Sequence, residues 1–117
     1  MMKNKLNDFI YPQSNKEKAM YGTIFSLAIK PGHHDALLKE LNKTGDGLNK
    51  PEGMVAWFVM KPDDKQEWIG VAIFESKESH VANANSPEQH QMFLRIMEHL
   101  ESEPTWTDGT YVVGQIA

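Results

Sequence analysis

Histidine is the side chain best suited to proton transfer near neutral pH, and this chain carries five, at positions 33, 34, 80, 90 and 99. His90 has the most suggestive setting. In Ser86-Pro87-Glu88-Gln89-His90-Gln91-Met92-Phe93 it falls about one helical turn before Phe93 and two before Met97, at the edge of an apolar helix face. A ring there can reach into a pocket and act as general acid or base. The competing reading is a partly buried imidazole bonded to a backbone carbonyl, a structural role histidines often take. Phe25, Trp57, Phe74, Phe93 and Met97 are the apolar residues that could line a pocket for a planar ligand. Large aromatics fill cores and subunit contacts just as readily. Seven methionines suit an adaptable pocket and a plain core equally.

Other chemistries lack their residues. His33 and His34 are adjacent and do not share a helix face, and His80, His90 and His99 lack the i, i+4 spacing of a helical metal pair, so no metal site is expected. With no cysteine there is no disulfide, zinc thiolate or thiol nucleophile. Ser14, Ser79, Ser86 and Ser102 have no Gly-x-Ser-x-Gly context, and Gly45-Asp46-Gly47 leads into no Gly-Lys-Ser/Thr run. Glu75, Glu78 and Glu88 sit near helix starts, where the helix dipole favours them without catalysis. A formal charge of -4 argues against nucleic acid as partner. No apolar stretch is long enough to span a membrane, and the polar start offers no signal-peptide core, so a cytoplasmic protein is expected.

The elements that must position these residues read in order. At 117 residues a single domain over 21–117 is expected, with 1–20 a disordered leader or an arm whose Phe9, Ile10 and Tyr11 dock on the domain or on a partner subunit. Tyr21 to Lys30 alternates as a strand, with Phe25, Leu27 and Ile29 on one face and Ile24, Ser26 and Ala28 on the other. Pro31-Gly32 ends it, and Asp35 to Asn42 is helical through Ala36, Leu37, Leu38 and Leu41. Met54 to Lys61 and Glu67 to Glu75 form a hairpin across Pro62-Asp63-Asp64-Lys65. Both faces of both strands carry bulk, which predicts a sheet buried on both sides. Helices can cover one side, and a second copy of the chain is the simplest cover for the other. Ser76 caps a helix over Lys77 to Ala84. Ser86 caps a second, with Pro87 at its first position and Gln89 completing a capping box, running to about Leu100. Pro104 blocks extension. A last strand is predicted over Tyr111 to Ile116, after an Asp108-Gly109 turn. The order strand, helix, strand, strand, helix pair, strand is the α+β, ferredoxin-like βαββαβ arrangement with an antiparallel sheet.

That order and its punctuation resemble the antibiotic biosynthesis monooxygenase family of dimeric α+β barrels. The residues carrying the resemblance are Ile29-Lys30-Pro31-Gly32, Gly53-Met54, Phe74-Glu75-Ser76-Lys77-Glu78, Asn85-Ser86-Pro87-Glu88-Gln89-His90 and Trp106-Thr107-Asp108-Gly109, spanning roughly Tyr21 to Ile116. Phe74 replaces the tryptophan usual before Glu-Ser in the family. The resemblance implies a homodimer packed sheet on sheet, and in each subunit a pocket between sheet and helices. It also implies, for some members, oxidation of polycyclic aromatics by dioxygen with no metal or flavin. Haem-degrading relatives use an Asn, a Trp and a His. The corresponding positions here hold Phe25, Asn83 and Phe93, so haem degradation is set aside.

The function expected is therefore a cofactor-independent oxygenase acting on a small aromatic or quinone-like molecule. Its base would be His90, with Tyr21 or Tyr111 as partner, and its pocket would be lined by Phe25, Trp57, Phe74, Phe93 and Met97. The alternatives are a non-catalytic, ligand-binding or stress-related dimer of the same fold and a structural subunit of a larger assembly.

Overall fold

The computed structural model describes residues 19–44 and 50–117. The expected leader or arm lies outside them apart from Ala19 and Met20, as does Gly45-Asp46-Gly47. The elements are β1 (Tyr21–Leu27), α1 (His34–Thr44), β2 (Met54–Met60), β3 (Trp68–Phe74), α2 (Lys77–Ala84), α3 (Pro87–Met97) and β4 (Thr105–Thr110). They form one four-stranded sheet in the order β2-β3-β1-β4, every neighbouring pair antiparallel. This is the ferredoxin-like α+β arrangement.

The two paired helices start where their caps dictate. The Ser76 side chain accepts from the Ser79 N–H at 3.2 Å, and the Ser86 side chain from the Gln89 N–H at 3.1 Å, with Pro87 pre-shaped for the first turn.

Two expectations need correction. The last strand is Thr105–Thr110, not Tyr111 to Ile116, and Asp108-Gly109 is not a turn but part of it, paired with Thr23 and Gly22. β4 is an edge strand that satisfies a single ladder, so its Asp and Gly are tolerated beside the β-prone Thr105, Trp106, Thr107 and Thr110. The final helix ends at Met97 rather than Leu100. Leu100 instead forms an antiparallel bridge with Ile29, flanked by bonds from the Lys30 N–H to the His99 carbonyl (2.9 Å) and from the Glu101 N–H to the Ala28 carbonyl (2.8 Å). Leaving the helix early lets Leu100 enter the core beside Ile29, a burial that straight continuation of α3 would forfeit.

Register fixes the two faces of the sheet. Phe25 and Leu27 lie opposite Gly70 and Trp68, and Trp57 and Val59 opposite Ala72 and Gly70. These face the helices. Leu27, Ile29, Leu37, Leu41, Trp68, Ile96 and Leu100 make the buried core there, with Phe25, Trp57, Val59, Met92 and Met97 packed against it. The other face carries Ile24, Ile69, Val71, Ile73, Phe58 and Met60. The described residues do not cover it: Ile24, Phe58 and Met60 are 49%, 65% and 55% exposed. Among the described residues, no helix is long and apolar enough to cross a membrane.

Candidate functional site

Alternation along β1 sends Tyr21, Thr23, Phe25 and Leu27 toward the helices. Phe25 stands opposite Gly70 on one side and Trp106 on the other. Gly70 has no side chain, and the Phe25 ring takes the space: a Cβ on Gly70 would lie 2.1 Å from Phe25 Cζ. The Trp106 ring packs 5.2 Å from that of Phe25, and Phe93 of α3 comes within 6.4 Å of Trp106. Phe25 and Phe93, far apart in sequence, thus join one aromatic row through Trp106. That indole is half exposed, so the row has a face open to solvent. Thr23, next along the same face, is buried and donates its hydroxyl to the Thr107 carbonyl at 3.3 Å.

A second aromatic group forms at the start of β1. Phe74 is almost wholly buried. The half-buried His80 ring of α2 packs 5.3 Å from Phe74 and 5.3 Å from Tyr21, and the Lys77 ammonium lies 5.8 Å above the Tyr21 ring. Tyr111, just after β4, has its hydroxyl pushed above the ordinary phenol range by burial.

Trp57 belongs to a third place. It lines an open cleft of about 440 Å³ between α1 and the edge strand β2, with Leu38, Leu41, Asn42, Phe58, Val59, Lys61 and Trp68. Lys61 and Trp68 also border an adjoining cleft of about 420 Å³ with His34, Lys65 and Gln66, where the His34 ring meets Trp68 edge-on at 5.7 Å.

The residues singled out in the sequence therefore occupy several neighbourhoods on the helix side. Phe25 and Phe93 share a row, Phe74 sits with His80 and Tyr21, and Trp57 lines the cleft under α1. Met97 packs against the core. His90 is exposed on α3. Neither cleft is lined by Phe25, Phe74, Phe93, Met97 or His90. Two participants were not expected at the site. Trp106 reads as an anchor where the chain re-enters the sheet, and only register places it beside Phe25. His80 sits in a weakly amphipathic helix, and only the approach of α2 to β1 and β3 brings it against Tyr21 and Phe74.

The chain matches the family model for antibiotic biosynthesis monooxygenases over residues 20–95. Solved structures share the fold at low identity. A Caulobacter crescentus protein provisionally called an antibiotic biosynthesis monooxygenase superposes with a TM-score of 0.71 at 10% identity, over 81% of this chain and 92% of that one. A protein of unknown function from Nitrosomonas europaea gives 0.70 at 18% identity, over 88% and 98%. Rv0793 of Mycobacterium tuberculosis gives 0.67 at 16% identity, over 77% and 92%. No protein of curated function matches the chain in sequence.

Proposed function

The chain belongs to the antibiotic biosynthesis monooxygenase family, and from that premise we propose that it works as a homodimer which oxidises a small aromatic or quinone-like molecule with dioxygen, without metal or flavin. The observation carrying the ligand half is the Phe25–Trp106–Phe93 row, a run of aromatic surface open on the helix side of the sheet. Planar substrates stack on such surfaces. The dimer half is supported by the uncovered face around Ile24, Phe58 and Met60, which two copies packed sheet on sheet would bury in a shared interior about 10 Å thick.

In this reading the substrate is its own electron source. A phenol or enol loses a proton, and the resulting carbanion-like carbon adds dioxygen. A CH2 group becomes C=O, one oxygen atom staying in the product and the other leaving as water. The protein supplies an apolar site and a base. His90 is the candidate base, acting from the flank of α3; His80 is a second imidazole on the helix side, held against Tyr21. The test is a panel of hydroxyquinones and anthrone-like phenols incubated in air and under anaerobic conditions. The expected result is consumption in air alone, with His90→Ala losing turnover while retaining binding. Loss in His80→Ala instead would move the base to α2.

A second reading has a specific observation behind it. His90 is exposed and borders neither cleft, which favours a ligand-binding dimer without turnover. Binding of the same compounds with no oxygen uptake would establish it in place of the first.

A further inference from the structure

His33 and His99 stand 66 positions apart in sequence, yet their Nδ1 atoms are 3.1 Å apart, with ring centroids at 5.4 Å. His33 lies in the turn between β1 and α1; His99 lies in the turn after α3. Both rings are half-buried. The backbone beneath them is tied on every side. The Lys30 N–H donates to the His99 carbonyl at 2.9 Å, the His33 N–H to the Lys30 carbonyl at 3.0 Å, and the His99 N–H to the Ile96 carbonyl at 3.0 Å. The Leu37 N–H caps this with a bond to the His33 carbonyl at 2.9 Å. Below, Ile29 and Leu100 are bridged and buried. The two imidazoles therefore hang from a frame that is already ordered in the folded chain.

Two neutral imidazoles facing each other through Nδ1 share one proton, one ring donating and the other accepting. The same separation suits a different occupant. Two nitrogen ligands with metal bonds of about 2.0–2.1 Å sit roughly 3.3 Å apart on a tetrahedral ion. Exchanging the shared proton for a metal ion asks both rings to swing so that their Nδ1 lone pairs converge on the ion beside the line that joins them.

We propose that His33 and His99 form a chelate site for one borderline divalent transition-metal ion, joining the start of α1 to the end of α3. Among the described residues, no group of three His, Cys, Asp or Glu gathers around an ion, so water completes the coordination. Imidazole pairs favour copper, nickel and zinc over magnesium and calcium. With two protein ligands rather than three, this site is weaker than a three-ligand centre. The other histidines are placed elsewhere: His34 against Trp68, His80 against Tyr21 and Phe74, and His90 in solvent. Preorganisation of the frame lowers the ordering cost of binding, and an ion bound only to the folded chain stabilises it by mass action. This proposal is independent of any oxygenase activity.

The experiment uses the full, untagged chain, stripped with a chelator that is then removed. Thermal unfolding and titration calorimetry are recorded with nickel, zinc, copper and magnesium chlorides. The expected result is a rise in Tm with the three transition metals and none with magnesium. His33→Ala and His99→Ala each weaken nickel binding by at least the ~10–100-fold that loss of a mere outer-shell partner costs, whereas His80→Ala and His90→Ala leave it unchanged. In case an alanine variant folds poorly, paramagnetic nickel is also titrated into the wild-type protein and followed by proton NMR. The ring signals of His33 and His99 must broaden before those of His34, His80 and His90. Equal broadening of all five, a magnesium response matching nickel, or full binding in folded His33→Ala and His99→Ala would each overturn the site.

Discussion

The ring of Phe25 occupies the side-chain space that Gly70 leaves empty across the β1–β3 ladder, and that placement sets the position of Trp106 beyond it. Gly70→Ala would put a Cβ within 2.1–2.8 Å of three Phe25 ring atoms, so the ring must swing away and the Trp106 contact must loosen. The expected cost is about 1–3 kcal/mol, as for other overpacked positions. The cost should shrink toward zero when Gly70→Ala is made in a Phe25→Ala background, because the obstructing atoms are gone. Urea denaturation of the four chains measures the coupling, and equal costs in both backgrounds would contradict the contact.

The two capping serines should rank by burial. Ser86→Ala removes one acceptor from a half-buried helix start and should cost about 1 kcal/mol. Ser76 is buried, and its Oγ meets the Ser79 hydroxyl at 3.2 Å as well as the Ser79 N–H. Ser76→Ala strands the Ser79 N–H at a buried site, while the Ser79 hydroxyl keeps its bond to the Ser76 carbonyl at 3.0 Å, and should cost more, up to about 2 kcal/mol. Thermal unfolding of the two variants gives the order directly.

If two copies meet through the uncovered sheet face, a charge placed on it must separate them. Phe58→Glu should convert a dimer to a monomer by light scattering at low micromolar concentration. Leu94→Glu, on an exposed part of α3, should leave the assembly intact. A wild-type monomer would refute the sheet-on-sheet dimer outright.

Tyr111 makes stability sensitive to high pH. Burial raises its folded pKa above the unfolded value of 10.0, so above that value the unfolded chain loses the phenolic proton while the folded chain keeps it. The contribution is complete below the unfolded pKa and is lost as pH rises through the folded one. The Tm gap between wild type and Tyr111→Phe should be constant at neutral pH and shift against the wild type above about pH 10. A pH-independent gap would show that the hydroxyl titrates alike in both states.

Much of the architecture is legible because it is local. Ser76, Ser86-Pro87 and the alternation around Phe25, Leu27 and Ile29 announce their elements within a few residues. β4 is less so, since Asp108-Gly109 carries turn chemistry that only pairing with Thr23 and Gly22 overrides. The end of α3 is hidden for the same reason: Leu100 continues the helical stripe in sequence, while Ile29 draws it to the sheet. Candidate-site geometry is harder still. The meeting of Phe25 with Trp106 depends on register, that of His33 with His99 on two turns folding together, and the exposure of His90 on how α3 rolls over the core. Helical periodicity marks an apolar face well, but it places a residue at the edge of that face only to within a side chain's width.

The central position of β1 has a consequence for how the chain is made. Its two neighbours are β3 and β4, and the bond from Thr23 to Thr107 joins residues 84 positions apart. β1 must therefore wait on the ribosome, with one edge unpaired until β3 arrives and the other until β4 has been synthesised. High contact order of this kind slows folding and leaves apolar strand edges accessible in the meantime. Nascent chains stalled before Thr105 should accordingly be protease-sensitive and recruit chaperones through β1, and emergence of Thr105–Thr110 should close the sheet in a single late step.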